Sequence, residues 1–442
     1  MPEPRTILLR DEQPEHVVIG TRRGGYFATS DAGATWSWLC EAGVGYEDEE
    51  VYAGALLPSG KLVLSTGFGG LSLSSDGCDF SPWLPSEQPF VADVRARRDA
   101  RDAVVALEGR VAAEGFVNQL WQSSDDTESW QALGPAFAAD TLAVSFDVSD
   151  MGELYVAAAG PSGAELLRSV DAGESWSRST IAAEPGVSAR VIGAHEAADA
   201  SRLYVIVDYA QADGVTTRGD RVLMSLDRGA SFVPLLEGVG DLSAWSLSPD
   251  GERLAIGGHL DGLHFLGDAS SAGPDSTMTQ VSSRSVHALA WDGSGRLYAA
   301  GHEAIDGFSV GVSEDDGATF TAFFALCQVD GPPECGDSTT IGASCFSSGE
   351  TGWDVRKEVA SNEACRESEV GSGGAPSSSS EAPHSPTAGA NDEHVPATHG
   401  TAADSAASCT VSFRSSRSNG AGILALGWGA WLGLARRRRR VS

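Results

Sequence analysis

Lysine is nearly missing from this chain: Lys61 and Lys357 are the only two in 442 residues. With the arginines they make 30 basic residues against 61 acidic ones, a formal net charge of −31. A surface of that sign repels phosphate backbones, which excludes nucleic acid as a partner. Sustained helical periodicity is missing too, and so are the paired C-x-x-C spacings of a zinc site, although the chain has 7 cysteines. The first twenty residues, "MPEPRTILLRDEQPEHVVIG", lack the basic and apolar regions of an export signal. What is present is a large apolar share, 41%, with 11 Trp and 15 Phe. That is enough for a substantial core.

One phrase recurs. "TSDAGATW" at Thr29 returns as "SSDGCDF" at Ser74, "SSDDTESW" at Ser123, "SVDAGESW" at Ser169, "SLDRGASF" at Ser225 and "SEDDGATF" at Ser313. Its aspartates, Asp31, Asp76, Asp125, Asp171, Asp227 and Asp315, are separated by 45, 49, 46, 56 and 88 residues. The last gap is about twice the others, so one unit has lost the phrase, and Asp268 in "DGLHFLGD" stands at its place. Seven units result. Each reads as four short strands, apolar runs of a few residues between Gly/Asp turns, which are the dimensions of a propeller blade. Residues 4–326 are therefore expected to form an all-β, seven-bladed β-propeller, with strands A to D running outward from the axis.

Local chemistry explains the phrase. The Asp accepts hydrogen bonds from the backbone just after it, and the Ser or Thr two residues earlier adds a hydroxyl. Gly33, Gly173, Gly229 and Gly317 suit the positive φ of such a turn. Trp36, Trp130, Trp176, Phe232 and Phe320 begin the outer strand and are placed to fill the gap between blades. The turns are expected to join strands C and D in a purely structural role.

In this phrase the chain resembles the BNR or Asp-box repeat proteins, with the copies at Asp31, Asp171, Asp227 and Asp315 fitting fully. The second copy is one residue short and the third has Thr127 in place of Gly. The resemblance covers about three quarters of the chain. It implies the propeller fold and places the Asp-box turns opposite the active face. Relatives in that superfamily include sialidases, other glycoside hydrolases, sorting receptors and photosystem assembly factors, so function does not follow from fold. The Arg-Ile-Pro type motif that accompanies sialidase chemistry is absent before Asp31, and no nucleophile and base pair is recognisable. The function expected is a binding or scaffold module for a protein or glycan ligand, without catalysis and without cofactor. The alternative is an extracellular glycoside hydrolase of sialidase-like fold.

The B–C and D–A connections share one face, and there the candidate ligand residues are Arg22, Arg23, Tyr46, Phe68, Tyr209, His259 and His302. His259 and His302 hold equivalent positions in adjacent blades and suit a metal or an anion. No third ligand is identifiable, so they are read as duplicated strand ends, with no metal site.

After Leu326 the pattern changes. Cys327, Cys335, Cys345 and Cys365 suggest two disulfides within a segment 327–365, in an oxidising compartment, with connectivity open. Cys40 and Cys78, in adjacent blades, either pair or stay buried. Residues 366–408 read as a disordered stalk rich in Ser, Ala, Gly and Pro. The tail 409–442 holds Cys409, an uncharged stretch at 420–435, expected to form an apolar helix crossing the membrane, and an arginine cluster at 436–440. It resembles the myxobacterial C-terminal sorting signal. That resemblance implies a sorting or processing protease acting near Cys409, lipid on that residue and display at the cell surface. The signal peptide that export requires is expected just upstream of the first residue.

Overall fold

The computed structural model of the chain describes residues 2–346 except 11–12, 23, 46–52, 87–88, 101, 113–114, 161, 185–186, 198–199, 210–218, 239 and 241. Seven sheets follow one another, each built on four consecutive antiparallel strands, the first sheet gaining a fifth strand from later in the chain. Blade 1 holds Glu3–Leu9, Val17–Arg22, Gly25–Thr29 and Trp36–Leu39. Blades 2 to 7 span residues 54–83, 90–132, 142–182, 187–237, 244–282 and 288–324. First strands of successive blades touch one another, and Glu3–Leu9 touches Ala288–Trp291 of blade 7, so the sheets close into a ring. The all-β, seven-bladed architecture expected from the aspartate spacing is the one found.

Burial explains the strand sequences. Second strands such as Leu62–Ser65 ("LVLS"), Leu254–Gly258 ("LAIGG") and Leu297–Ala300 ("LYAA") are buried at every residue. A neighbouring blade covers each face of these strands, and a continuous apolar run satisfies both. Fourth strands such as Ser81–Trp83 lie at the rim and are mostly exposed.

Around blades 3 to 5 the inner strands are tied by charge. The register shifts within Leu142–Val148 and Val187–Ala197. Such bulges free backbone N–H groups. The Val191 amide donates to Ser145 Oγ at 2.7 Å, Ala194 to Asp147 Oδ2 at 2.8 Å and Phe146 to Asp93 Oδ2 at 3.2 Å. Asp93 and Asp147 are buried, and Arg95 and Arg98 lie against them. Buried carboxylates are tolerable only with such partners.

The four antiparallel strands of blade 1 are consecutive and N-terminal, and the four of blade 7 follow all the others, so neither set is shared between the two ends of the chain. A shared core joins them, with Phe27, Trp36 and Trp38 of blade 1 against Tyr298, Val310 and Phe324 of blade 7. Trp36 lies 4.5 Å from the Phe324 ring and edge-on to Phe323 at 5.6 Å. The chain then continues as Val329–Gly331, which pairs in parallel with Trp36–Leu39 as a fifth strand. A helix, Thr340–Cys345, capped by the Thr339 hydroxyl accepting from the Gly342 amide at 3.1 Å, packs on the turn Glu41–Val44. The two approach closely at Gly43, where a Cβ would meet Ile341 Cδ1 at 2.6 Å and Cys345 Sγ at 3.0 Å.

The disulfides differ from the expected arrangement. Cys345 bonds to Cys40 and Cys335 to Cys78, so both bonds tie the late segment to blades 1 and 2 rather than closing it on itself. Cys327 is disulfide-bonded as well. Cys365, the stalk 366–408 and the tail 409–442, with Cys409 and the 420–435 stretch, lie outside the described residues. Among the described residues no helix is long and apolar enough to cross a membrane. Because each bond spans more than 250 residues, 305 and 257, it strongly restricts the unfolded chain. Replacing Cys40 and Cys345 by Ser should cost about 2–4 kcal/mol in denaturant unfolding. A reducing agent, which also breaks Cys78–Cys335, should destabilise the wild-type protein by more than this substitution does and leave the double variant less affected.

Candidate functional site

The two faces of the ring carry different chemistry. On one face lie the connections between third and fourth strands, and all six phrase aspartates are there. Asp31 Oδ1 accepts from the Thr35 amide at 2.9 Å and from the Thr29 hydroxyl at 2.7 Å, while Oδ2 accepts from the Thr35 hydroxyl at 2.7 Å. Asp171, Asp227 and Asp315 repeat the pattern. Asp125 does so as well, with Thr127 accepting a φ of +69° where the other copies place Gly. The short second copy differs: Asp76 Oδ1 accepts from the amides of Cys78 and Asp79. Its turn also receives the late helix, through Ile341 N to Cys78 O at 3.0 Å and Phe80 N to Thr340 Oγ1 at 2.9 Å. At Asp268 the turn survives as a single 3-10 turn, Ala269–Ser271, without a side-chain cap.

These turns also space the blades. Gly229 has φ +84°, and a Cβ there would fall 2.0 Å from Leu166 of blade 4; at Gly317, φ +87°, it would fall 2.4 Å from Leu263 of blade 6. Trp130 stacks on Trp83 of blade 2 at 4.4 Å, Trp176 lies 5.1 Å from Phe137 in the connection that follows blade 3, and Phe232 and Phe320 pack against the cores of the preceding blades.

The opposite face is built by the B–C and D–A connections. Arg22 ends the second strand of blade 1, opposite Glu3. Phe68, 63% exposed, lies in the turn Gly67–Gly69 with its ring 5.0 Å from Phe90. Tyr209 ends the strand Ala200–Tyr209. Arg23 and Tyr46 lie outside the described residues. His259 follows the second strand of blade 6 and His302 that of blade 7, where it precedes the short helix Glu303–Asp306. Asp306 accepts from the His302 amide at 2.9 Å and pairs with Arg284 at 2.7 Å.

Four residues that sequence reasoning missed complete this corner: Glu3, Arg5, Ser285 and His287. His287 immediately precedes the first strand of blade 7 and is 7% exposed. Its Nδ1 lies 3.2 Å from Glu3 Oε1, while Glu3 Oε2 pairs with Arg5 at 3.0 Å. Its ring stacks on His259, with centroids 6.1 Å apart. Burial pushes the His287 pKa below the usual histidine range; the charges of Arg5, His259 and His302 push the same way, and Glu3 opposes them. The signal available was "RSVHALAW", a histidine at the entry of a first strand, in a D–A connection. Among the described residues no group of three or more His, Cys, Asp or Glu side chains is arranged to hold a metal ion.

No family model matches the chain, and no curated protein matches it in sequence. Solved structures resemble it in shape. An ancestral GH74 enzyme aligns with a TM-score of 0.52 and 15% identity, over 67% of this chain and 43% of that one, so this chain matches less than half of that enzyme's length. YCF48 bound to D1 peptide gives 0.46 and 13%, over 68% of this chain and 91% of that one. The Cps50 (Swd1) β-propeller domain of Myceliophteria thermophila gives 0.43 and 12%, over 67% and 93%. At such identities the likeness shows the fold alone. The propeller by itself decides neither for an enzyme nor for a binder.

The aspartate turns predict a pH limit. Donation from the Thr35 and Ser175 hydroxyls, reinforced by the backbone amides of the same residues, draws Asp31 and Asp171 down to about 2. A depressed carboxyl contributes stability that is complete above its unfolded pKa of about 4 and is lost as pH falls through the folded value. Tryptophan fluorescence should therefore show unfolding that sets in between about pH 4 and 2. Replacing Asp31 and Asp171 by Asn should flatten that dependence and lower stability at pH 7.

Proposed function

We propose that this chain is a ligand-binding propeller of the Asp-box repeat type, held at the cell surface, whose B–C face takes a protein or glycan and does not hydrolyse glycans. The observation that carries the reading is where the exposed apolar side chains stand. Among the described residues seven large apolar side chains are more than half exposed; Phe68, Leu84, Leu260 and Ile305 belong to connections on the face opposite the aspartate turns, Met151 and Val170 lie on the aspartate face, and Phe346 follows the late helix. The larger share of these side chains thus stands on the B–C face, and exposed apolar side chains on loops over a rigid scaffold suit a contact surface. Leu260 and Ile305 flank the histidine corner in sequence, each close after one of its imidazoles.

Surface display is supported by the two disulfides, which need an oxidising compartment, and by the order of cysteine, apolar stretch and arginines at the C-terminus. The glycoside hydrolase reading keeps one support, the shape shared with the ancestral GH74 enzyme.

An array of extracellular polysaccharides and secreted proteins tests the face. Leu260→Asp combined with Ile305→Asp should weaken capture by about tenfold or more, as expected for loss of an apolar anchor, while leaving the thermal midpoint unchanged. Glycan turnover in the same array would replace the binding reading with the hydrolase one. For the tail, deletion of Arg436 to Arg440 should release or mislocalise the protein on cell fractionation. A wild-type protein recovered in the cytosol with reduced cysteines would refute surface display.

A further inference from the structure

The histidine corner contains a proton path that ligand capture does not need. Ser285 Oγ lies 3.3 Å from His287 Nε2 and 2.8 Å from His259 Nδ1. On the far side of the His287 ring, Nδ1 faces Glu3 Oε1 at 3.2 Å. A carboxylate against Nδ1 fixes the proton there and leaves Nε2 as an acceptor. The Ser285 hydroxyl then donates to Nε2, and His259 Nδ1–H donates to Ser285 Oγ, which gives every group in the chain a partner. Arg5 holds Oε2 of Glu3, so Oε1 stays turned toward the ring. The groups come from three blades: Glu3 from blade 1, His259 from blade 6, and Ser285 with His287 from the entry of blade 7.

We propose that Ser285 is a nucleophile, His287 its general base and Glu3 the positioning residue of an acyl-transfer site that hydrolyses carboxylic esters. The geometry has the hydrogen-bond order this chemistry needs, hydroxyl donating to Nε2 and Nδ1–H donating to the carboxylate, at distances usual before substrate closes the site. Ser285 is half-buried, so its oxygen can be reached from the face, whereas the base is shielded from water. Burial and the nearby positive charge of Arg5 keep His287 neutral, and so basic, at neutral pH. As Ser285 Oγ bonds to the ester carbonyl carbon, its proton passes to His287 Nε2 and the carbonyl electron pair moves onto oxygen. Collapse breaks the bond to the alkoxide, which leaves as the alcohol with that proton. Water then attacks the acyl-serine with the same base, releasing the carboxylic acid and restoring the hydroxyl. The apolar part of the ester sits against Leu260 and Ile305.

This goes beyond the binding reading and is tested without its ligand. The full chain is treated with a fluorophosphonate probe, the labelled peptide is mapped by mass spectrometry, and hydrolysis of p-nitrophenyl butyrate is followed in parallel. Labelling is expected at Ser285, and Ser285→Ala, a small change at a half-buried site, should abolish both signals without altering circular dichroism. His287→Gln should reduce the rate about a hundredfold or more. Glu3→Gln should reduce kcat with little change in KM. The wild-type rate should rise with pH through an inflection below the ordinary histidine value, set by His287 among Glu3, Arg5, His259 and His302. Absence of labelling, labelling elsewhere, or ester turnover undiminished in Ser285→Ala would overturn the proposal. Capture by the face while Ser285 stays unlabelled would leave the binding reading standing alone.

Discussion

Trp36 stands where the two ends of the ring meet, packed on Phe323 and Phe324 of blade 7. The four-stranded sets of blades 1 and 7 share no strand, and the sheet hydrogen bonds that reach across the seam are those of the segment after blade 7, Val329–Gly331, with Trp36–Leu39. The seam depends on apolar packing and on what the chain adds after Phe324. A parallel fifth strand, a capped helix and two disulfides all land on blades 1 and 2. Each addition compensates for a deficit left by the missing exchange: unpaired backbone along Trp36–Leu39, an apolar edge beside Val44, and the entropy of two chain ends that would otherwise drift apart.

The opposite side of the ring is held differently. Blades 3 to 5 are joined by buried carboxylates that cap bulge amides and by the arginines that neutralise them. Charge serves there because Asp93 and Asp147 each have a bulge amide and an arginine as partners; apolar packing serves at the seam, where the closing segment covers blade 1. The histidine corner lies on the seam side. Glu3 and His287 meet only because blade 1 reaches blade 7, so the closure that completes the fold also completes the corner.

Some of this was legible in the sequence for a local reason. An aspartate turn makes its bonds within four residues, so its chemistry shows in the order of residues alone, and its recurrence counted the blades. The face bearing His259 and His302 was legible because both follow the second strand of their blades. His287 was not, because its partners are a carboxylate 284 residues earlier and a histidine on another blade, and neither recurs with the repeat. The disulfide partners of Cys335 and Cys345 were illegible for a similar reason. Proximity in the chain suggested that the late cysteines pair among themselves, but the ring brings Cys40 and Cys78 nearer.

By itself, then, the sequence determined the class, the number of blades, the turn chemistry and the orientation of each sheet's apolar faces, since all of these follow from contacts a few residues apart. Tertiary structure alone decided how the ring is locked, why the second aspartate turn is shortened to receive the late helix, and which side chains converge over blades 6, 7 and 1. Those outcomes depend on bringing together segments roughly 300 residues apart, and that proximity exists only after seven sheets have twisted into a closed circle.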